Sequence, residues 1–239
     1  GLMLTGRIVN LPEEMKGEAG EVVARLVARM GEPVVRLGAM QAMRILGEQF
    51  VLGRNIECAL RRGAAMTRGQ DTSRFSFDML GEGARAVADA ERYESSYAAA
   101  IEAVGANANR QGPVASNGVS VKLSALHPRY EARNEEGVLA ELYPCVLRLA
   151  ELARRHDIGL TLDAEEADRL VLSLKLFERL ALEPSLAGWS GLGLAIQAYQ
   201  KRTRALIERL VRLARLRGME CRAPERFAEA FIARKILLA

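Results

Sequence analysis

Gly118–Tyr130 reads GVSVKLSALHPRY, and its first half decides the fold. Val119, Val121 and Leu123 alternate with Ser120, Lys122 and Ser124, the period of a strand with one apolar and one polar face. Ile158–Asp168, IGLTLDAEEAD, repeats the pattern, with Leu160 and Leu162 on one side and Thr161 and Asp163 on the other. A lysine and an aspartate inside strands are costly unless they pair or do chemistry. Their common parity predicts one shared site, with Lys122 and Asp163 on the inner face at the carboxyl ends of adjacent strands.

Working outward, the pattern from Arg74 is regular. Strands are predicted at Arg74–Leu80, Gly118–Ala125, Ile158–Ala164 and Gly191–Ala198, and helices at Ala88–Val104, Gly137–Arg155, Ala167–Ala181 and Arg202–Arg217. Four strand–helix units imply a parallel sheet with helices outside. No strand runs into a GxGxxG turn, which disfavours a dinucleotide-binding sheet. Each strand instead ends in polar residues, namely Asp78 and Glu82, Lys122 and Ser124, Asp163 and Glu165, and Gln197 and Gln200. Polar groups at the carboxyl ends of several strands suit a (β/α)8 barrel of the TIM type. Such a barrel typically has about 250 residues and eight strands, so four units predict about half a barrel, preceded by helices. Residues 1–72 read as an N-terminal helical segment packing on the barrel, 73–217 as its first four βα units and 218–239 as a tail. Within these, a helix is expected at Glu18–Met30, a helical region at 33–62 broken at Gly53, and a last helix at Pro224–Leu238. The first and fourth strands would then both be open edges.

Composition narrows the function classes. The chain is 49% hydrophobic but only 5% aromatic, so its core is aliphatic. Of 34 basic residues five are lysine (Lys16, Lys122, Lys175, Lys201 and Lys235) and 29 are arginine, interleaved with glutamates as on solvated helix faces. No nucleic-acid partner is therefore expected for this segment. Cys58, Cys145 and Cys221 are widely spaced and odd in number, which gives neither a disulfide framework nor a metal site and points to a reducing cytoplasm. No apolar run reaches the roughly 20 residues that span a bilayer. His127 reads as a structural loop histidine and His156 as a solvated helix end.

Six ordered motifs carry a resemblance: QAMRILGEQFVLGRNIECAL (41–60), RFSFDMLGEGA (74–84), SVKLSALHPRYE (120–131), ELYP (141–144), LDAEEADRL (162–170) and GLGLAIQAYQKR (191–202). With them the chain resembles the proline dehydrogenase domain of the bifunctional proline utilization A flavoenzymes. The resemblance implies a barrel that holds FAD without a covalent bond, oxidises L-proline to 1-pyrroline-5-carboxylate and passes electrons to a quinone. It matches Lys122 to a residue that anchors the substrate carboxylate, and Asp163 to an aspartate beside the substrate. It matches Glu82 to a glutamate that pairs with a substrate-binding arginine. Gln197 matches a hydrogen-bond partner of the flavin ring and Ala195 a position packed against it. It implies a segment of a larger bifunctional chain or a homo-oligomer, cytoplasmic or peripheral at the inner membrane surface. Residues after Leu216 depart from the family pattern, and the DNA-binding arm of some members is not recognised at the start. The chain alone is therefore expected to lack turnover. The alternative is a catalytically incomplete half-barrel that serves only as a structural or association module.

Overall fold

The structure, a computed structural model, describes residues 36–45, 47, 51–67, 74–79 and 83–216, and the backbone of 236–238. The chain divides into two units, Gly1–Phe50 and Val51–Ala239. In the first, residues 36–45 form helix α1. The helix expected at Glu18–Met30 lies outside the described residues.

In the second unit the strands are β1 Val51–Gly53, β2 Ser76–Met79, β3 Gly118–Val121, β4 Gly159–Leu162, β5 Leu192–Leu194 and β6 Ile236–Leu238. The helices are α2 Ile56–Met66, α3 Val87–Ala106, α4 Leu123–Leu126, α5 Glu135–Arg155, α6 Leu170–Ala181 and α7 Thr203–Leu216. All neighbouring strands are parallel, in the order β1-β6-β2-β3-β4-β5. From β2 to β5 each helix moves the chain one strand along in the same direction. A barrel progresses this way, whereas a doubly wound sheet reverses.

Local signals explain the main helices. Asn55 Oδ1 accepts from Cys58 N at 2.9 Å and caps α2. The Asp89 carboxylate accepts the backbone N–H groups of Arg85 and Ala86 at the start of α3, which holds its carboxyl below the usual range. In α5 the buried Val138, Leu142, Val146, Leu149 and Ala153 recur at helical spacing. Glu135 and Glu136 stand at its positive end and Arg154 and Arg155 at its negative end.

The register sorts the strands into two faces. Phe77 pairs with Val119, Val119 with Leu160 and Leu160 with Leu192, while Val121 pairs with Leu162 and Leu162 with Leu194. All but the partly buried Leu194, which packs against them, join Ile101 of α3, Leu149 of α5 and Leu176 of α6 in one buried cluster. Each fully buried leucine contributes about 1.5–3 kcal/mol. The opposite face carries Ser76, Asp78, Gly118, Ser120, Gly159, Thr161 and Gly193. A Cβ on Gly118 would stand 2.7 Å from the Gly159 carbonyl oxygen, so the close approach of β3 and β4 at this end requires glycine.

Several expectations are corrected. The sheet has six strands, because β1 and β6 add to the four expected. Val51–Gly53 is a strand, not a break between two helices, because its backbone pairs with β6. Residues 236–238 are likewise extended, not the end of a helix at Pro224–Leu238. β2 pairs on both sides, with β3 and β6, so the first expected strand is not an edge, whereas β5 is. The strand expected to run to Ala125 stops at Val121, and Leu123–Leu126 turn into α4. The reason is a long-range bond: Glu165 Oε1 accepts from Ser124 N at 3.0 Å.

Cys145 is buried in α5, and burial, with the nearby Glu94 carboxylate adding to it, pushes its thiol up to about 12. Cys145 should therefore react with a thiol reagent at pH 8 on the order of a thousandfold more slowly in the native chain than in urea. Mass mapping of alkylated peptides measures this. Equal rates in both conditions would contradict its burial.

Candidate active site

The polar face converges at the carboxyl ends of β2, β3 and β4. Lys122 follows β3 and Asp163 follows β4, and Asp163 N donates to Val121 O at 2.9 Å, extending the ladder by one residue. Lys122 Nζ stands 3.2 Å from Asp163 Oδ2, so the two residues paired by parity in the sequence do meet. A third residue completes the group. Lys122 Nζ donates to both oxygens of Asp78, at 2.9 and 2.8 Å. Asp78 is 0% exposed and Asp163 6%, while the lysine side chain keeps 22% of its surface open.

Neighbouring bonds hold this arrangement. Tyr97 of α3 is fully buried, and its Oη accepts from Lys122 N at 3.1 Å, fixing the strand end from the helix layer. Ser76 Oγ and Ser120 Oγ are 2.6 Å apart beneath the lysine. Sequence reasoning missed Asp78 as a site residue. It carries the same signal as Lys122, a charge alternating with Phe77 and Met79 on the face of Ser76.

A second group lies beside the first. Glu165 Oε2 accepts from Arg169 Nη1 at 2.9 Å, and the Arg169 guanidinium lies 5.5 Å from the centre of the Tyr130 ring. Burial, and then the Glu165 charge, raise the Tyr130 hydroxyl well above its ordinary value, so it stays protonated. Gln197 Nε2 donates to Glu165 O at 3.0 Å, and Gln197 Oε1 accepts from Gln200 Nε2. Asp163, Glu165, Arg169, Ala195 and Gln197 line one crevice between the loops after β4 and β5. Glu82 lies outside the described residues. His127 is a buried structural histidine, with Nδ1 accepting from Arg129 N at 3.1 Å and Nε2 3.1 Å from Glu141 Oε2. A wider cleft at the opposite end of the strands is lined by Arg61, Arg74, Asn107, Asn109 and Asn117.

A family profile described as proline dehydrogenase matches residues 60–223. The chain belongs to the proline dehydrogenase family. A second profile, the DNA-binding domain of proline dehydrogenase, matches residues 1–50, which corrects the expectation that this region is lacking. The chain is 48% identical over 214 residues to the bifunctional protein PutA of Salmonella typhimurium, covering 90% of this chain and 16% of that protein. To the bifunctional protein PutA of Rhizobium meliloti it is 46% identical over 218 residues, 91% of this chain and 17% of that one. Its segment is thus a small part of the length of these relatives. Among solved structures, proline utilization A of Bradyrhizobium japonicum superposes with a TM-score of 0.67 at 53% identity, over 82% of this chain and 20% of that one. The Bdellovibrio bacteriovorus protein, at 21% identity and a TM-score of 0.69, shares the fold. This proline dehydrogenase segment therefore carries the barrel-type sheet of its family, and its half-buried Lys122 lies at the carboxyl end of a strand.

The residues present fit a flavin. Ala195, just past the end of β5, presents no more than a methyl to the crevice, which suits the edge of a planar ring. Ala195 N is used by Leu162 O at 2.8 Å, which leaves the methyl as its contribution. Gln197 makes one bond from each end of its amide, leaving one N–H and one lone pair for a ring edge. Among the described residues no cluster of His, Cys, Asp or Glu is placed to hold a metal ion. Among them also, no helix is long and apolar enough to cross a membrane.

Proposed function

We propose that this chain is part of an FAD-dependent enzyme that oxidises L-proline to 1-pyrroline-5-carboxylate and passes the electrons to a quinone. The observation that carries the reading is the Lys122 ammonium held between Asp78 and Asp163 on the inner face of a proline dehydrogenase sheet. FAD, when bound, supplies the acceptor for the hydride that leaves the proline ring carbon next to nitrogen. Gln197 and Ala195 would hold its ring. The chain's own residues bind and orient the substrate. Lys122 faces its carboxylate as a charge-assisted donor. Asp163 stands beside it, an anion suited to the ring ammonium and to the proton that nitrogen loses as the C=N bond forms. Glu82 belongs to the same site by its place after β2. Fixing both charged ends of the amino acid orients the ring, and orientation of this kind supplies a large share of a rate enhancement.

The remaining readings follow from the family. Residues 73–217 serve as βα units of the barrel, to whose sheet β1 and β6 add. The segment works in a larger bifunctional chain or a homo-oligomer, in the cytoplasm or at the inner membrane surface, where a quinone is met. For residues 1–50 the profile's description raises DNA as a partner. Their charge is balanced, with Arg7, Lys16, Arg25, Arg29, Arg36 and Arg44 against Glu13, Glu14, Glu18, Glu21, Glu32 and Glu48. Without a basic surplus the non-specific phosphate contribution is small, and we keep to no nucleic acid for this segment. A salt-sensitive gel shift with this chain would overturn that.

The test uses the protein purified at its native length. Bound flavin that bleaches when L-proline is added without oxygen, and recovers with a quinone analogue, is the expected result. Flavin that proline leaves oxidised, or protein that takes up no flavin, would favour the alternative of a structural or association module.

A further inference from the structure

A row of hydrogen bonds joins the segments that follow four successive strands. Ala84 N, after β2, donates to Ser124 O at 2.9 Å. Ser124 N, after β3, donates to Glu165 Oε1 at 3.0 Å. Gln197 Nε2, after β5, donates to the carbonyl oxygen of Glu165, after β4, at 3.0 Å. Glu165 is the centre of the row. Its side chain is 9% exposed, and its second carboxylate oxygen accepts from Arg169 Nη1, at the start of α6, at 2.9 Å. The bond to Ser124 also stands in for a helix cap. The first N–H groups of a helix have no partner within it, and Lys122, at the cap position of α4, makes no side-chain cap bond. A carboxylate from 41 residues away does there what a local Asp or Ser does elsewhere. Gln197 is held against the backbone that these bonds fix. Gln200 Nε2 donates to its Oε1, and Thr203 Oγ1 donates to its carbonyl oxygen at 2.7 Å.

We propose that Glu165 is a positioning residue whose carboxylate caps α4, fixes the segment after β4, and so sets the plane of the Gln197 amide that meets the flavin ring. The effect on the ring rests on the reading of Gln197 as a flavin contact, whereas the cap on α4 does not. An amide already held in place bonds a ring edge without the ordering cost of a free glutamine side chain. Glu165 acts through Gln197 and needs no contact with the ring.

Titration of the native-length apoprotein with FAD, followed by flavin fluorescence, tests the action on the ring without any turnover. Glu165→Ala is expected to weaken FAD binding by about tenfold. Glu165→Gln keeps an oxygen for Ser124 N, and Arg169 keeps Glu166 Oε2 at 3.1 Å, so its loss should be about threefold or less. In a Gln197→Ala background, adding Glu165→Ala should cost about twofold or less, because the residue through which it acts is gone. A further tenfold loss in that background, or Glu165→Gln as weak as Glu165→Ala, overturns the proposal. Amide hydrogen exchange on the 239-residue chain tests the cap without flavin. Ser124 N–H should be protected in the unsubstituted chain and in Glu165→Gln, and should exchange about tenfold faster in Glu165→Ala, with Leu160 N–H unchanged. If Glu165→Ala unfolds the chain, both amides accelerate together and Glu165→Gln decides: Ser124 unprotected there, with Leu160 still protected, overturns the cap. No flavin uptake by the unsubstituted protein, with Ser124 protected, overturns the flavin reading and the role through Gln197 while leaving Glu165 as the cap of α4.

Discussion

Lys122→Met is expected to destabilise the chain by about 3–5 kcal/mol, because it removes a shared partner of two buried carboxylates. Asp78, 0% exposed, loses the two bonds that its oxygens make to the ammonium. Asp163, 6% exposed, loses the same partner. Methionine fills most of the volume, so the loss is electrostatic and not a cavity. In a protein active on proline the same change removes a charge-assisted contact worth about 1.5–3 kcal/mol, roughly a ten- to hundredfold rise in KM. Binding of flavin, which the chain meets through Gln197 and Ala195, should change far less. Urea unfolding of the 239-residue chain measures the first effect and proline kinetics at native length the second. An unchanged urea midpoint would show that the two aspartates do not depend on this ammonium. An unchanged KM would remove Lys122 from the substrate site.

The parity of Gly118–Lys122 and Gly159–Asp163 was legible because a strand alternates strictly, whatever packs on it. Lys122 and Asp163 were therefore paired from the sequence, and the register places them on adjacent strands. Asp78 shows the same alternation with Phe77 and Met79 and was within reach, but a carboxylate at a strand end looks solvated until its neighbours are known. The strands β1 and β6 were not legible. Each has three residues, too few to show a period, and each owes its extended form to pairing, β1 with β6 and β6 with both β1 and β2. Ser124 read as a continuing strand residue because the bond that turns the chain comes from Glu165, 41 residues away. Gln197 was visible as a polar strand-end residue, but its ties to Glu165 O and to Gln200 are tertiary. The glycines of β3 and β4 gave no local hint that they let two strands approach.

Leu160→Ala is expected to cost about 2–5 kcal/mol, the range for a leucine removed from a core that relaxes only in part. Leu160 is 0% exposed in the middle of β4, paired on one side with Val119 and on the other with Leu192. Its own N–H donates to Gly191 O at 2.9 Å, which pins the backbone and prevents collapse around the lost atoms. Thr161, the next residue, points to the polar face and is only half-buried, so Thr161→Ala should cost about 1 kcal/mol or less. The contrast between neighbours in one strand is the energetic form of the alternation that first distinguished the two faces. Equilibrium unfolding in urea checks it: the midpoint should fall steeply for Leu160→Ala and little for Thr161→Ala, with the same slope for both. Equal losses at the two positions would mean that the face carrying Lys122 and Asp163 is packed as tightly as the aliphatic one. A face packed that tightly would have no room for a flavin ring or an amino acid, and the site would have to be sought elsewhere in the chain.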